Sequence, residues 1–190
     1  MDFSLGPDEE QFGSAVRGFL DGHLPEGWDL RDFTGDVTPG ERAEVTAFVR
    51  QALAERRWLA LPFAPELGGL GAGHVTQAVF NEVAAYTRMP GGGGAAVSRV
   101  GPSIRRFGTS AQQGQWLPRI ANGEDQWCVL YTEPEAGSDL AEIQTQAVRQ
   151  GDEYVINGVK TLIAGAQHAS MGWLAARTDP SATSDSVVHD

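Results

Sequence analysis

The sequence predicts an α+β protein in which a helical segment, residues 1–123, is followed by a β segment, residues 124–190. Three observations support this fold class. Apolar residues recur with the period of a helix throughout the first segment, and β-forming residues become frequent only after residue 126. An Asn-Gly pair then separates two short β-rich runs, which is typical of a hairpin. Runs of strands after runs of helices indicate an α+β fold or two separate domains.

The helical segment contains several amphipathic stretches. In residues 9–24, Phe12, Val16, Phe19 and Leu20 lie at positions i, i+4, i+7 and i+8, which places them on one face of a helix. The same spacing predicts helices over residues 41–58, 74–88 and 97–107. Residues 61–73 contain two prolines and four glycines, so they are predicted to form a loop of defined turns.

A final helix is predicted from Ser110 to Gly123. Gly108 is the predicted C-cap of the helix before it. Ser110 and Gln113 have the spacing of a capping box, in which each side chain bonds the backbone of the other residue. The helical segment therefore ends near residue 123.

The β segment is predicted to contain a strand over residues 127–132 and a hairpin whose turn is Asn157-Gly158, with arms at 154–156 and 159–163. Residues 171–178 form a further predicted strand, and Val187-Val188 are predicted to begin another. An antiparallel sheet that ends there leaves an unpaired edge, which natural sheets avoid. The chain is thus expected to end within its β domain.

Composition excludes several classes of protein. A net charge of −11 argues against a nucleic-acid surface, since phosphate binding needs concentrated Lys and Arg. No apolar run approaches the length of a membrane span, and the acidic N-terminus lacks the pattern of a secretory signal. Cys128 is the only cysteine, which excludes an internal disulfide and favours a cytoplasmic location.

The spacing of the other candidate residues excludes several further kinds of site. The four histidines, at 23, 74, 168 and 189, are scattered, so no metal site is predicted. The glycines of residues 69–73 have the wrong spacing for a dinucleotide loop and follow a predicted helix instead of a strand. No phosphate-binding P-loop and no GxSxG nucleophile turn occur.

Residues 131–140 read YTEPEAGSDL. Pro, Gly, Ser and Asp are ordinary turn residues, so a surface turn is the simplest interpretation of this stretch. Pro134 and Gly137 would shape the turn and allow close approach of the backbone. Glu133 and Asp139 are interpreted as acceptors for backbone N–H groups, because short carboxylates commonly bond nearby amides. Neither residue is predicted to be catalytic.

Three stretches taken together resemble the acyl-CoA dehydrogenases in order and spacing: PELGGLG at 65–71, YTEPEAGSDLA at 131–141, and GDEYVINGVKTLIAGAQHA at 151–169, followed by ARTDP at 176–180. The resemblance covers residues 10–180. It implies an all-α helical N-terminal domain, residues 1–123, followed by a partial antiparallel β-barrel-like middle domain, residues 124–190. The family's C-terminal helical domain matches no part of this chain.

The resemblance also implies ligands and site residues. FAD and an acyl-CoA thioester are the expected ligands, with Ser138 toward the CoA side. Where the family usually has a tryptophan and then a Thr or Ser two places on, this chain has leucine and alanine, so the flavin contacts are expected to be weaker. The cofactor-binding residues implied are Tyr131, Thr132, Leu162, Ile163 and Ala164.

The implied activity is α,β-dehydrogenation of an acyl-CoA, with hydride transfer to flavin N5, in fatty acid or lipid catabolism. The family's carboxylate base lies in the C-terminal region, so no catalytic residue is assigned and the chain alone is expected to be inactive. An electron-transfer flavoprotein and other acyl-CoA dehydrogenase subunits are the expected partners. Two alternatives stay open: a non-catalytic subunit of a mixed oligomer, and a helical adaptor that binds neither ligand.

Overall fold

The computed structural model describes residues 4–179. The chain divides into two compact units, Met1–Glu124 and Asp125–Asp190, and each is described by itself. The strand predicted to begin at Val187-Val188 lies outside the described residues. No helix in the described part of the chain is long and apolar enough to cross a bilayer.

The first unit is helical, as predicted. The predicted helices at 9–24, 41–58 and 74–88 are confirmed, each within a few residues. The helix predicted over 97–107 is a π-helical turn, Ala96–Val100, that continues directly into an α-helix. The α-helices are α1 (Pro7–His23), α2 (Trp28–Thr34), α3 (Pro39–Glu55), α4 (His74–Tyr86), α5 (Gly101–Phe107) and α6 (Ser110–Ala121).

The core of this unit lies between the apolar faces of α1, α3 and α4. Trp58, just after α3, is surrounded edge-on by Phe12, Phe19 and Phe80, with ring centroids 5.4 to 6.5 Å from its own. Edge-to-face packing of this kind adds to the free energy gained from burial alone. The residues of the core that are almost fully buried include Val16, Leu20, Val49, Leu53 and Leu61.

Helix α2 was not predicted, because seven residues are too short to show a helical period. Its role is to place Asp32 and Trp28 in the interior. Asp32 accepts hydrogen bonds from Arg42 and, at 2.6 Å, from Arg88, while the Trp28 indole donates to the Arg88 carbonyl. The hydrogen bond from Arg88 is the main reason that the pKa of Asp32 lies below its usual value, against the opposing effect of burial.

The start of α6 differs from the prediction by one residue. Thr109, not Ser110, is the N-cap: its side chain accepts from the Gln112 N–H, and the Gln112 side chain accepts from the Thr109 N–H. Gln113 instead donates to the Gly108 carbonyl. Both Thr109–Gln112 and Ser110–Gln113 fit the capping-box spacing, so the sequence pattern alone could not choose between them.

Residues 125–179 of the second unit form two small sheets. Strand β1 (Trp127–Leu130) pairs in parallel with β4 (Met171–Leu174), and β2 (Gln146–Gln150) pairs antiparallel with β3 (Glu153–Asn157). The predicted antiparallel β-barrel-like domain is therefore confirmed only in its β content. No closed barrel is seen among residues 125–179, and one of the two strand pairs there is parallel. A parallel pair needs a long connection, which residues 131–170 provide.

The predicted hairpin is shifted toward the N-terminus. Its turn is Gly151-Asp152, where Gly151 adopts φ of +65°, and Asn157 is the last residue of β3. Residues 159–163 form no strand, so the prediction for the second arm was wrong. The Asn-Gly signal misled because Gly158 serves close packing: a Cβ there would lie 2.3 Å from Thr145 Oγ1 and 2.7 Å from Thr145 Cα.

This close approach gives a test of the observed register. Gly158→Ala should destabilise the second unit by about 1–3 kcal/mol, because the added methyl group overlaps the Thr145 backbone. Gly137→Ala is the matched control, since a Cβ at Gly137 would have no neighbour within 4 Å. Hydrogen exchange of the amides at 144–157 measures the change. Equal exchange rates in the two variants would show that Gly158 does not lie against Thr145.

Candidate functional site

The residues singled out by the sequence lie where β1 ends. The chain leaves β1 at Leu130, and the next three residues run beside Lys160 and Thr161. The Thr161 N–H donates to the Thr132 carbonyl at 2.9 Å, and Lys160 Nζ donates to the Tyr131 carbonyl at 2.9 Å. Two segments that are distant in sequence are thereby held side by side.

The buried Glu133 side chain connects these two segments with residues 144 and 145. Its carboxylate accepts from Lys160 Nζ at 2.8 Å, from the Thr145 N–H at 2.9 Å, and from the Gln144 N–H. Burial by itself would raise the pKa of Glu133, but the Lys160 ammonium and the bonds from Thr145 and Gln144 outweigh it and lower the pKa to about 2. The carboxylate is therefore ionised throughout the neutral range, which agrees with its interpretation as an acceptor.

The turn that follows is fixed by short-range bonds. Glu133 and Ala136 exchange backbone hydrogen bonds of 2.8 and 3.3 Å. Asp139 accepts from the Ala141 N–H at 3.1 Å, which confirms its interpretation as a local backbone acceptor. Ser138 lies between these two turns with an exposed side chain.

The segment after Lys160 presents an unusual surface. Leu162 has φ of +54°, a left-handed conformation that costs a non-glycine residue of order 1–3 kcal/mol. Its side chain is 92% exposed. Ile163 is half-buried, and Ala164 is exposed beside Gly165, which opens the short 3-10 turn Ala166–His168. Leu162 therefore combines a left-handed backbone with an apolar side chain that is almost fully exposed.

The structure brings some of the predicted site residues together and leaves others apart. Tyr131 and Thr132 are bonded to the segment that leads directly into Leu162. Among residues 4–179, Ser138 and Ala164 make no hydrogen bond to that pair of segments. Sequence reasoning missed the partnership of Glu133 with Lys160. One signal was present: Lys160 is the only lysine in a chain with thirteen arginines.

These residues fit an isoalloxazine ring in part. Within the described residues, the structure shows hydrogen bonds of Thr132 only at its carbonyl, so its half-buried hydroxyl is available as a donor. Leu162 follows Thr161, the residue that is bonded to Thr132, and its exposed side chain offers an apolar contact to a ligand. Ala164 lacks a side-chain donor, so only its backbone could bond a ring. No cluster of three or more His, Cys, Asp or Glu residues suited to a metal occurs in residues 4–179.

Comparison with known families gives two matches that together span most of the chain. The model described as acyl-CoA dehydrogenase, N-terminal domain, matches residues 6–124. The model described as acyl-CoA dehydrogenase, middle domain, matches residues 128–189.

Individual relatives agree with these models. The chain is 34% identical to acyl-CoA dehydrogenase FadE29 of Mycobacterium tuberculosis over 96% of its length and 46% of that protein. The crystal structure of the ChsE4–ChsE5 complex from M. tuberculosis superposes with a TM-score of 0.83 at 32% identity, covering 97% of this chain and 46% of the other. A glutaryl-CoA dehydrogenase from Mycobacterium smegmatis, in complex with FADH2, superposes with a TM-score of 0.73 at 28% identity, covering 92% and 44%.

The chain spans less than half the length of these relatives. Within that span, the helical unit, the small β unit and the segment at the end of β1 all correspond to one family. The protein therefore belongs to the acyl-CoA dehydrogenase family.

Proposed function

We propose that this chain supplies the N-terminal and middle domains of an FAD-dependent acyl-CoA dehydrogenase that introduces an α,β double bond into an acyl-CoA thioester. The observation that carries the proposal is the pairing of Tyr131–Glu133 with Lys160–Thr161, which places Thr132 beside the segment that bears exposed Leu162. A hydroxyl donor beside an apolar surface suits a flat ring with polar edges.

Each residue then has a defined role. The Thr132 hydroxyl and the backbone at Tyr131 would bond the edge of the ring, Leu162 and Ile163 would contact it through apolar atoms, and Ala164 would contribute backbone only. Ser138 would lie toward the CoA side. Bound FAD would supply the acceptor for the substrate's hydride. Fixed donors at the ring edge favour the reduced form, because reduction places negative charge there.

The remaining parts of the reaction are assigned outside the described residues. We propose that the carboxylate base comes from a C-terminal helical domain, carried by a longer form of this chain or by a partner subunit. An electron-transfer flavoprotein is the proposed electron acceptor. Acyl-CoA dehydrogenase subunits, identical or different, are the proposed oligomeric partners.

A second candidate function is favoured by Leu162 and Ala164. With no indole and no side-chain hydroxyl at these positions, the chain would hold FAD weakly and act as a non-catalytic subunit beside a flavin-bearing partner. The ChsE4–ChsE5 complex, in which a chain similar to this one is assembled with a partner, supports such an arrangement. Titration of FAD into the wild-type chain separates the two functions, since only the first requires saturable binding.

Thr132→Val tests the first function. The substitution keeps the shape and removes the donor, so the Kd for oxidised FAD should rise roughly two- to tenfold, the usual cost of a hydrogen bond between neutral groups. Thr178→Val is the matched control, because Thr178 is exposed and is not among the predicted contacts. The Kd is measured by quenching of flavin fluorescence. Equal affinities for the two variants would remove Thr132 from the site.

Leu162→Trp with Ala164→Thr tests the explanation for weak binding. The indole adds ring surface and the threonine restores a donor, so FAD affinity should rise on the order of tenfold. Val148→Trp, at an exposed position on β2, controls for the addition of an aromatic surface. Affinity that stays at the wild-type level, in a variant shown to be folded by circular dichroism, would contradict this explanation.

A further inference from the structure

Lys160 occupies an unusual environment for a lysine. Its side chain is 9% exposed, and its ammonium lies 2.8 Å from Glu133 Oε1 and 2.9 Å from the Tyr131 carbonyl oxygen. Every other basic residue of the chain that carries a fixed charge is an arginine. A compact ammonium can donate to two oxygens in a narrow space, whereas the planar guanidinium of arginine is larger and less adaptable.

Glu133 is equally enclosed, with a side chain that is 5% exposed. Its Oε1 accepts from Lys160 and from the Thr145 N–H, while Oε2 accepts from the Gln144 N–H. The pair thus joins three segments: residues 131–133, 144–145 and 160–161.

The charges of the pair cancel, and this matters because both are buried. Removing one partner of a buried pair leaves an uncompensated charge, whereas removing both leaves none. That charge would act on any nearby group whose own charge changes during a reaction. The backbone that the pair holds is that of Tyr131 and Thr132, the segment assigned above to the flavin.

We propose that Lys160 and Glu133 are positioning residues that fix the Tyr131–Thr132 backbone against Lys160–Thr161 and keep the protein behind the flavin electrically neutral. The proposal rests on the proposed function for the flavin, but the fixing of the backbone does not depend on it. Neither residue touches the reacting atoms. Their contribution is the geometry of Thr132 and the absence of a net charge behind it.

The first arm of the test uses the chain without FAD. Lys160→Met and Glu133→Gln should each speed hydrogen exchange of the Thr161 and Thr145 amides on the order of tenfold, because those amides lie within or beside the pair's bonds. Arg149→Met is the matched control, since Arg149 is exposed on β2. Exchange unchanged in both variants would overturn the proposal that the pair fixes this backbone.

The second arm measures the affinities for oxidised and for reduced FAD. Glu133→Gln leaves the Lys160 cation and should favour the reduced flavin, while Lys160→Met leaves the Glu133 anion and should favour the oxidised flavin. A purely structural role weakens both forms alike and leaves their ratio unchanged. If the ratio of the affinities for reduced and oxidised FAD moves in the same direction in both variants, or in neither, the proposal that the pair keeps this region neutral is overturned.

Two further variants keep the test decisive. Lys160→Met/Glu133→Gln removes both charges, so it should fold where a single variant does not, and its affinity ratio should return toward the wild-type value. If the wild-type chain binds FAD too weakly, the measurements are made in the Leu162→Trp/Ala164→Thr background. Failure of that background to bind FAD would count against the proposed function and the charge balance, whereas the exchange arm decides separately on the fixing of the backbone.

Discussion

The second unit depends on one buried carboxylate. Glu133 accepts bonds from the Lys160 ammonium and from the amides of Gln144 and Thr145, and so connects the end of β1 with the start of the hairpin and with the segment after it. The two sheets that residues 125–179 form are each two strands wide, and a two-stranded sheet is marginal by itself. The ion pair and its hydrogen bonds therefore supply connections that the small sheets cannot.

The same interaction orders the proposed site. Lys160 donates to the Tyr131 carbonyl, and the Thr161 N–H donates to the Thr132 carbonyl, so the backbone of these residues is occupied on one side. The Thr132 hydroxyl is left available for a ligand. Leu162, next along the paired segment, is exposed and has a left-handed backbone. Residues in sparsely populated backbone conformations cluster at active sites and ligand-binding sites.

The sequence predicted the helical unit well because the information there is local. Periodic apolar residues place α1, α3 and α4 without any knowledge of tertiary contacts, whereas α2 is too short to show a period. In the β unit the decisive contacts are distant in sequence. The pairing of β1 with β4, and that of Glu133 with Lys160, join residues far apart in the chain.

Asn157-Gly158 shows the limit of a local turn signal, because glycine is needed at 158 for its close approach to Thr145 and not for a turn. Gly151-Asp152 was an equally valid turn signal that sequence reasoning did not weigh.

The state of Glu133 can be measured directly. Because its pKa in the folded chain is lowered to about 2 from an ordinary 4.5, its contribution to stability is fully present above pH 4.5 and is lost as the pH falls toward 2. The decisive measurement is an NMR titration of the Glu133 carboxyl carbon in the folded chain. The structure predicts a chemical shift that stays at its ionised value as the pH is lowered through 4.5. A midpoint at or above 4.5, with the chain still folded, would contradict the buried ion pair on which the site depends.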